Sequence, residues 1–157
     1  MKMPIEVTET MSEKSEKKQE PVATIGIISE LIEETYLTAI KAGRRPISNF
    51  ILGPPGVGKT AAVEETAKRL AKILDREFIS LTRHEAGDAT MRERIARNIE
   101  RYFLFLGFSL THTTPEDFGI PAMRNDKESV EYKLPDIFHI FTLPGAHGVI
   151  FVDEFTG

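Results

Sequence analysis

Apolar residues change their spacing several times along this chain, and each change predicts an element. Between positions 24 and 42 they fall at Ile25, Ile28, Ile32, Tyr36 and Ile40, with Leu31 and Ala39 alongside. Steps of three and four predict a helix, and Gly43 and Pro46 stop it. Ile47-Ser48-Asn49-Phe50-Ile51-Leu52 reads as a short strand running into glycine and proline. Val63, Ala67, Leu70 and Leu74 restore the helical period and predict a helix over 60–74. On it, Glu64 with Lys68 and Glu65 with Arg69 stand in the favourable order for ion pairing. Phe78-Ile79-Ser80-Leu81 is a candidate second strand. Met91, Ile95, Ile99 and Tyr102 mark a further helix, and Thr90 with Glu93 has capping-box spacing at its start. The apolar, aromatic stretch 103–110 predicts a strand. The stretch 111–143, rich in turn residues, predicts mostly loop. Gly148-Val149-Ile150-Phe151-Val152 is continuously apolar, as strands buried on both faces are. No internal repeat is visible.

The first twenty positions break this pattern. Lys14, Lys17 and Lys18 alternate with Glu13, Glu16 and Glu20, and Ile5, Val7 and Met11 are too scattered to bury much surface. A solvated, disordered tail is expected over 1–21, followed by one domain over 22–157. The chain has 157 residues and a net charge of −4, so no general attraction to nucleic acid is expected. It has no cysteine, which excludes disulfides, thiol catalysis and cysteine metal sites. No apolar run approaches the roughly 18 residues of a spanning helix. A cytoplasmic protein with no membrane contact is expected.

Candidate chemistry begins at Gly53-Pro54-Pro55-Gly56-Val57-Gly58-Lys59-Thr60. Every fixed position of the phosphate-loop pattern G-x-x-x-x-G-K-[ST] is filled, between an expected strand and an expected helix. A polyphosphate needs many donors converging on one point, and glycines let backbone N–H groups approach it. The two prolines lack an N–H, so the donors must come from Gly56 onward. The start of the helix, with Ala61 in its first turn, adds its positive end. Lys59 would place a charge at the β and γ phosphates, and Thr60 Oγ1 would ligate magnesium.

A second motif lies at Val149-Ile150-Phe151-Val152-Asp153-Glu154, a buried strand ending in two acids. Parallel strands end on one edge of a sheet, and ligands sit at that edge. Asp153 is therefore expected to face the magnesium held by Thr60, through a water. Glu154 is placed to orient and polarise an attacking water, which favours hydrolysis over transfer to a second substrate.

With these two motifs the chain resembles the AAA+ ATPases, and within them the MoxR and dynein-related branch. Pro115-Glu116-Asp117-Phe118-Gly119-Ile120-Pro121, Tyr132 and Pro135-Asp136 are similar to a loop of that branch. The resemblance covers about 24–157, the N-terminal part of such a domain. It implies an α/β, three-layer P-loop fold with a parallel sheet, apparently truncated after the Asp153 strand. It further implies binding and hydrolysis of ATP with Mg2+, a homo-oligomeric ring in the full-length protein, and a protein client, with nucleic acid a second option. Its sensor, arginine finger and lid would follow Glu154, so the chain as given is expected to bind nucleotide and hydrolyse it poorly. Two rivals stand beside the remodelling or assembly motor: a nucleotide-gated module without turnover, and a nucleic-acid motor or loader.

Other residues are given plainer roles. Arg92, Arg94, Arg97 and Arg101 read as a solvated face. His84, His112, His139 and His147 lack metal-ligand spacing and read as loop or surface residues. Phe103, Phe105 and Phe108 read as core, and Gly87 with Asp88 as a turn.

Overall fold

The computed structural model describes residues 25–54, 56–109, 119–123 and 130–153. The expected tail lies outside them. The chain forms α1 (Ile25–Lys41), α2 (Lys59–Ile73), β1 (Glu77–Leu81), α3 (Arg83–Gly87), α4 (Ala89–Ala96) and β2 (Tyr102–Ser109). These are followed by β3 (Ile120–Met123), β4 (Val130–Lys133), α5 (Asp136–His139) and β5 (His147–Asp153). Short 3-10 turns stand before β2 and after α5.

β1, β2 and β5 make a parallel sheet in that order, and β3 and β4 a separate antiparallel hairpin. The α/β class and the parallel sheet expected from the sequence are present. Alternate residues of β2 face opposite ways, as the pleat requires. Phe103 and Phe105 join Ile32, Tyr36, Val63, Ala67 and Leu70 in one core cluster. Leu104 and Leu106 join Leu81, Ala86, Ile95, Ile99 and Ile140 in another. One face of the sheet thus carries α1 and α2, and the other carries α3, α4 and α5. Phe103 and Phe105 are core as expected, and Phe108 packs partly buried against the second cluster.

Several local expectations need correction. Residues 47–52 form no strand: Ile47, Phe50 and Leu52 are 68%, 65% and 75% exposed, and only Ile51 turns toward the first cluster. A β-prone stretch becomes a strand only where a ladder of hydrogen bonds to another backbone forms. The helix expected to reach Tyr102 ends at Ala96, because Asn98 leaves the helical region (φ −137°), and Tyr102 opens β2 instead. Its cap is Asp88, which accepts from the Met91 amide at 2.8 Å; the Thr90–Glu93 spacing does not cap it. The capping box stands earlier, at Thr82 and Glu85, where hydrogen bonds to the Thr82 amide and hydroxyl hold the Glu85 carboxyl below its usual pKa. The stretch expected to be mostly loop contains β3, β4 and α5. Glu64 pairs with Lys68 at 3.1 Å, but Arg69 reaches Glu33 on α1 at 2.9 Å. Among the described residues no helix is long and apolar enough to cross a membrane.

Candidate functional site

The loop between residue 52 and α2 owes its shape to two glycines. Gly56 has φ +78° and Gly58 φ +86°, conformations that L side chains rarely adopt. At Gly56 a Cβ would meet open space, so the backbone there is bare to any approaching group. Gly58 is the N-cap of α2 and has no side chain to satisfy the first helical amides. Those donors and the helix dipole face outward at one point.

Lys59 opens α2, and its Nζ donates to the carbonyls of Gly53 and Pro54 at 2.9 Å each. The ammonium is thereby folded back over its own loop. Thr60 follows, and its Oγ1 donates to Oδ2 of Asp153 at 2.7 Å. This contact joins the first turn of α2 to the last residue of β5. It forms because α2 packs across β2 and β5 through Val63, Ala67 and Leu70, so its N-terminus lies at the edge where the parallel strands end. Ala61 is exposed in the same turn, as are Gly53, Pro54 and Val57 in the loop. Pro55 and Glu154 lie outside the described residues.

The sequence reading missed part of this neighbourhood. α1 does more than pack: its first residue, Ile25, comes within 3.5 Å of a Cβ built on Gly58. Ile25, Ile28, Ile51, Leu52, Val57 and Ala62 line an apolar hollow of about 220 Å³ that opens beside Gly53, Pro54 and Lys59. The one signal for it was the apolar stripe of α1 starting at Ile25.

The donor chemistry at Thr60 and Asp153 is a hydroxyl and a carboxylate, both hard oxygens. Magnesium is held in this way, by one or two protein oxygens, with waters and phosphate oxygens completing its shell. Among the described residues no group of three or more His, Asp or Glu side chains is arranged to hold a metal without such help. The two oxygens are of the kind magnesium takes.

The arginine cluster is tied up locally. Arg92 bonds the Gly87 carbonyl at 2.7 Å and Asp136 at 3.0 Å, Arg97 lies 3.8 Å from Glu93, and Arg101 pairs with Glu77 at 2.9 Å. His84 and His139 are exposed on α3 and α5, and His112 lies outside the described residues. His147 corrects the surface expectation. It opens β5 partly buried, with Nδ1 3.3 Å from the Tyr36 hydroxyl.

No family model, curated protein or solved structure matches this chain.

Proposed function

We propose that the chain is the nucleotide-binding part of an AAA+-type P-loop ATPase, which binds ATP with magnesium and, in the assembled protein, hydrolyses it to remodel or assemble a macromolecular partner. One observation carries the reading: the 2.7 Å contact between Thr60 and Asp153, side chains separated by 93 positions. Each belongs to a motif whose chemistry needs the other. A chance glycine-rich turn has no reason to meet an acid that ends a strand of the parallel sheet.

In this reading the outward amides from Gly56 onward receive phosphate oxygens. Lys59 leaves the Gly53 and Pro54 carbonyls for the phosphates, which offer it full negative charge in place of two dipoles. Thr60 and Asp153 hold magnesium, which neutralises charge on the phosphate oxygens when bound. The apolar hollow beside the loop receives the flat face of the base. Glu154, next to Asp153, is assigned to orient water for hydrolysis. The net charge of −4 weighs against a nucleic-acid motor.

The test is calorimetric titration of the chain with magnesium-ATP. A lost charge-assisted contact is worth about 1.5–3 kcal/mol, so Lys59→Ala should weaken binding about 10- to 100-fold. Equal affinity in wild type and variant would overturn the assignment.

A further inference from the structure

The candidate nucleotide site rests on two elements besides α2, and a hydrogen-bonded pair joins those elements at a distance from it. α1 supplies Ile25, against Gly58; β5 supplies Asp153. Further along α1, Tyr36 is buried, with its ring 5.6 Å from that of Phe103. Its hydroxyl oxygen accepts the Gly148 N–H at 3.3 Å and lies 3.3 Å from Nδ1 of His147. A phenol has one hydrogen to give. With its oxygen receiving the Gly148 amide, that hydrogen is available to Nδ1 when the ring is neutral and protonated at Nε2.

The surroundings favour this form. Burial, and then the Arg76 guanidinium, hold His147 below its ordinary pKa. Arg76 reaches over from the turn between α2 and β1 to the Gly145 carbonyl at 3.1 Å. Glu100 stands against Gly145 on the other side, so Tyr36, Arg76 and Glu100 are the titratable or charged groups around this corner. β5 has no slack here. A Cβ at Gly148 would run into the Leu104 carbonyl and come within 2.9 Å of the Phe141 ring. The other partner of the contact, Tyr36, is carried by α1.

We propose that the Tyr36–His147 contact is an acid-released latch between α1 and β5, and that its closure raises the affinity of the 53–60 loop for nucleotide. The second clause rests on the reading given under Proposed function. When His147 takes a proton, Nδ1 becomes a donor. The phenol oxygen then faces two donors, its own hydrogen loses its acceptor, and a cation stands beside Arg76. α1 loosens, and with it Ile25 at Gly58 and the wall of the hollow.

The experiment has two arms on the 157-residue chain. In the first, NMR follows the titration of the His147 ring. Its pKa should lie below the ordinary value of about 6.5 and move up toward it in Tyr36→Phe. Identical titration in the two proteins would overturn the latch. In the second, magnesium-ATP affinity is measured at about pH 7.5 and about pH 5.5, which bracket an imidazole titration. His147→Gln serves as reference, because it does not titrate, and protonation of the nucleotide is common to both proteins. Wild type should lose about fivefold more affinity on acidification than His147→Gln, at the low end of allosteric couplings. Tyr36→Phe should bind weakly at both. Equal pH dependence in wild type and His147→Gln would overturn the coupling. No binding by wild type at either pH would refute the reading of the loop, and the coupling with it, while the NMR arm still decides the latch.

Discussion

At the scale of single residues, the candidate site depends on atoms that only the fold brings within reach. The hydroxyl of Thr60 illustrates this. It is exposed and makes one hydrogen bond, to Asp153, so its net worth to the fold is about 0.5–1.5 kcal/mol. Its worth to a bound magnesium should be larger. Thr60→Val keeps the shape and removes the oxygen. It is expected to unfold in urea within about 1.5 kcal/mol of wild type. Loss of a group that merely orients a metal ligand costs about 10- to 100-fold in metal affinity, and loss of a ligand should cost at least as much. The magnesium-dependent part of ATP binding, taken as the ratio of affinities with metal and with chelator, should therefore fall by about tenfold or more. An unchanged ratio would show that Thr60 is only a helix-start hydroxyl. At this scale the pattern marked Gly56 and Gly58 as positions where only glycine suits the backbone. Their positive φ angles give that marking its physical content.

At the scale of elements, the helices α1 and α2 and the strands β1, β2 and β5 follow the apolar spacing closely. One failure shows what spacing alone leaves open. Residues 47–52 have the composition of a strand, yet no strand is formed there, and a ladder of hydrogen bonds is what makes one. Arg76, which no pattern singled out, shows the converse. Its Nη1 donates to the carbonyls of Ile99, Tyr102 and Gly145 at 3.4, 3.2 and 3.1 Å, tying together the approaches to β2 and β5. Arg76→Met keeps the length and loses the donor. It should cost about 1–3 kcal/mol in urea unfolding, the penalty for partly buried acceptors left without their partner. A second element-scale prediction concerns acid. The pKa of His147 is lowered in the folded state, so the unfolded chain binds its proton more tightly. Stability from this group is present above its unfolded pKa of about 6.5 and is lost as pH falls through the folded value. The thermal midpoint should therefore drop as pH falls from about 6.5 toward 5.5, and His147→Gln should flatten that part of the curve.

At the scale of the whole molecule, two core clusters meet through β2, whose Phe103, Leu104 and Leu106 are fully buried. Leu70 is also fully buried, on the face of α2 that lies on the sheet. Leu70→Ala should cost about 2–5 kcal/mol, the range for buried leucine truncations, as read from denaturant unfolding. The larger consequence concerns where α2 points. The distance from Thr60 to Asp153 is set by how α2 beds onto β2 and β5, so this variant should weaken nucleotide binding by distorting a site it does not touch. Rescue by Leu70→Met, which keeps most of the volume, would distinguish a packing effect from a general loss of fold.

The sequence by itself determined the period of each long element, the positions of both motifs, and the chemistry that Lys59, Thr60, Asp153 and Glu154 could offer. These are local properties: periodicity and residue type are written within a few positions of one another. It also placed Phe103 and Phe105 in the core, where they lie; the equally apolar stretch 148–152, expected to be buried on both faces, is instead only partly buried, with Ile150 39% exposed, because β5 ends the strand order among the described residues. Only the tertiary structure decided which strands are neighbours, that 47–52 is no strand, that Arg69 turns from Glu65 to Glu33, and that His147 is held by Tyr36. That Thr60 and Asp153 face one another was expected from the two motifs; that they touch directly, at 2.7 Å, was decided by the tertiary structure. Each of these is a contact between residues far apart in the chain. Such contacts arise from the packing of α1 and α2 on one face of β2 and β5, which no window of sequence contains.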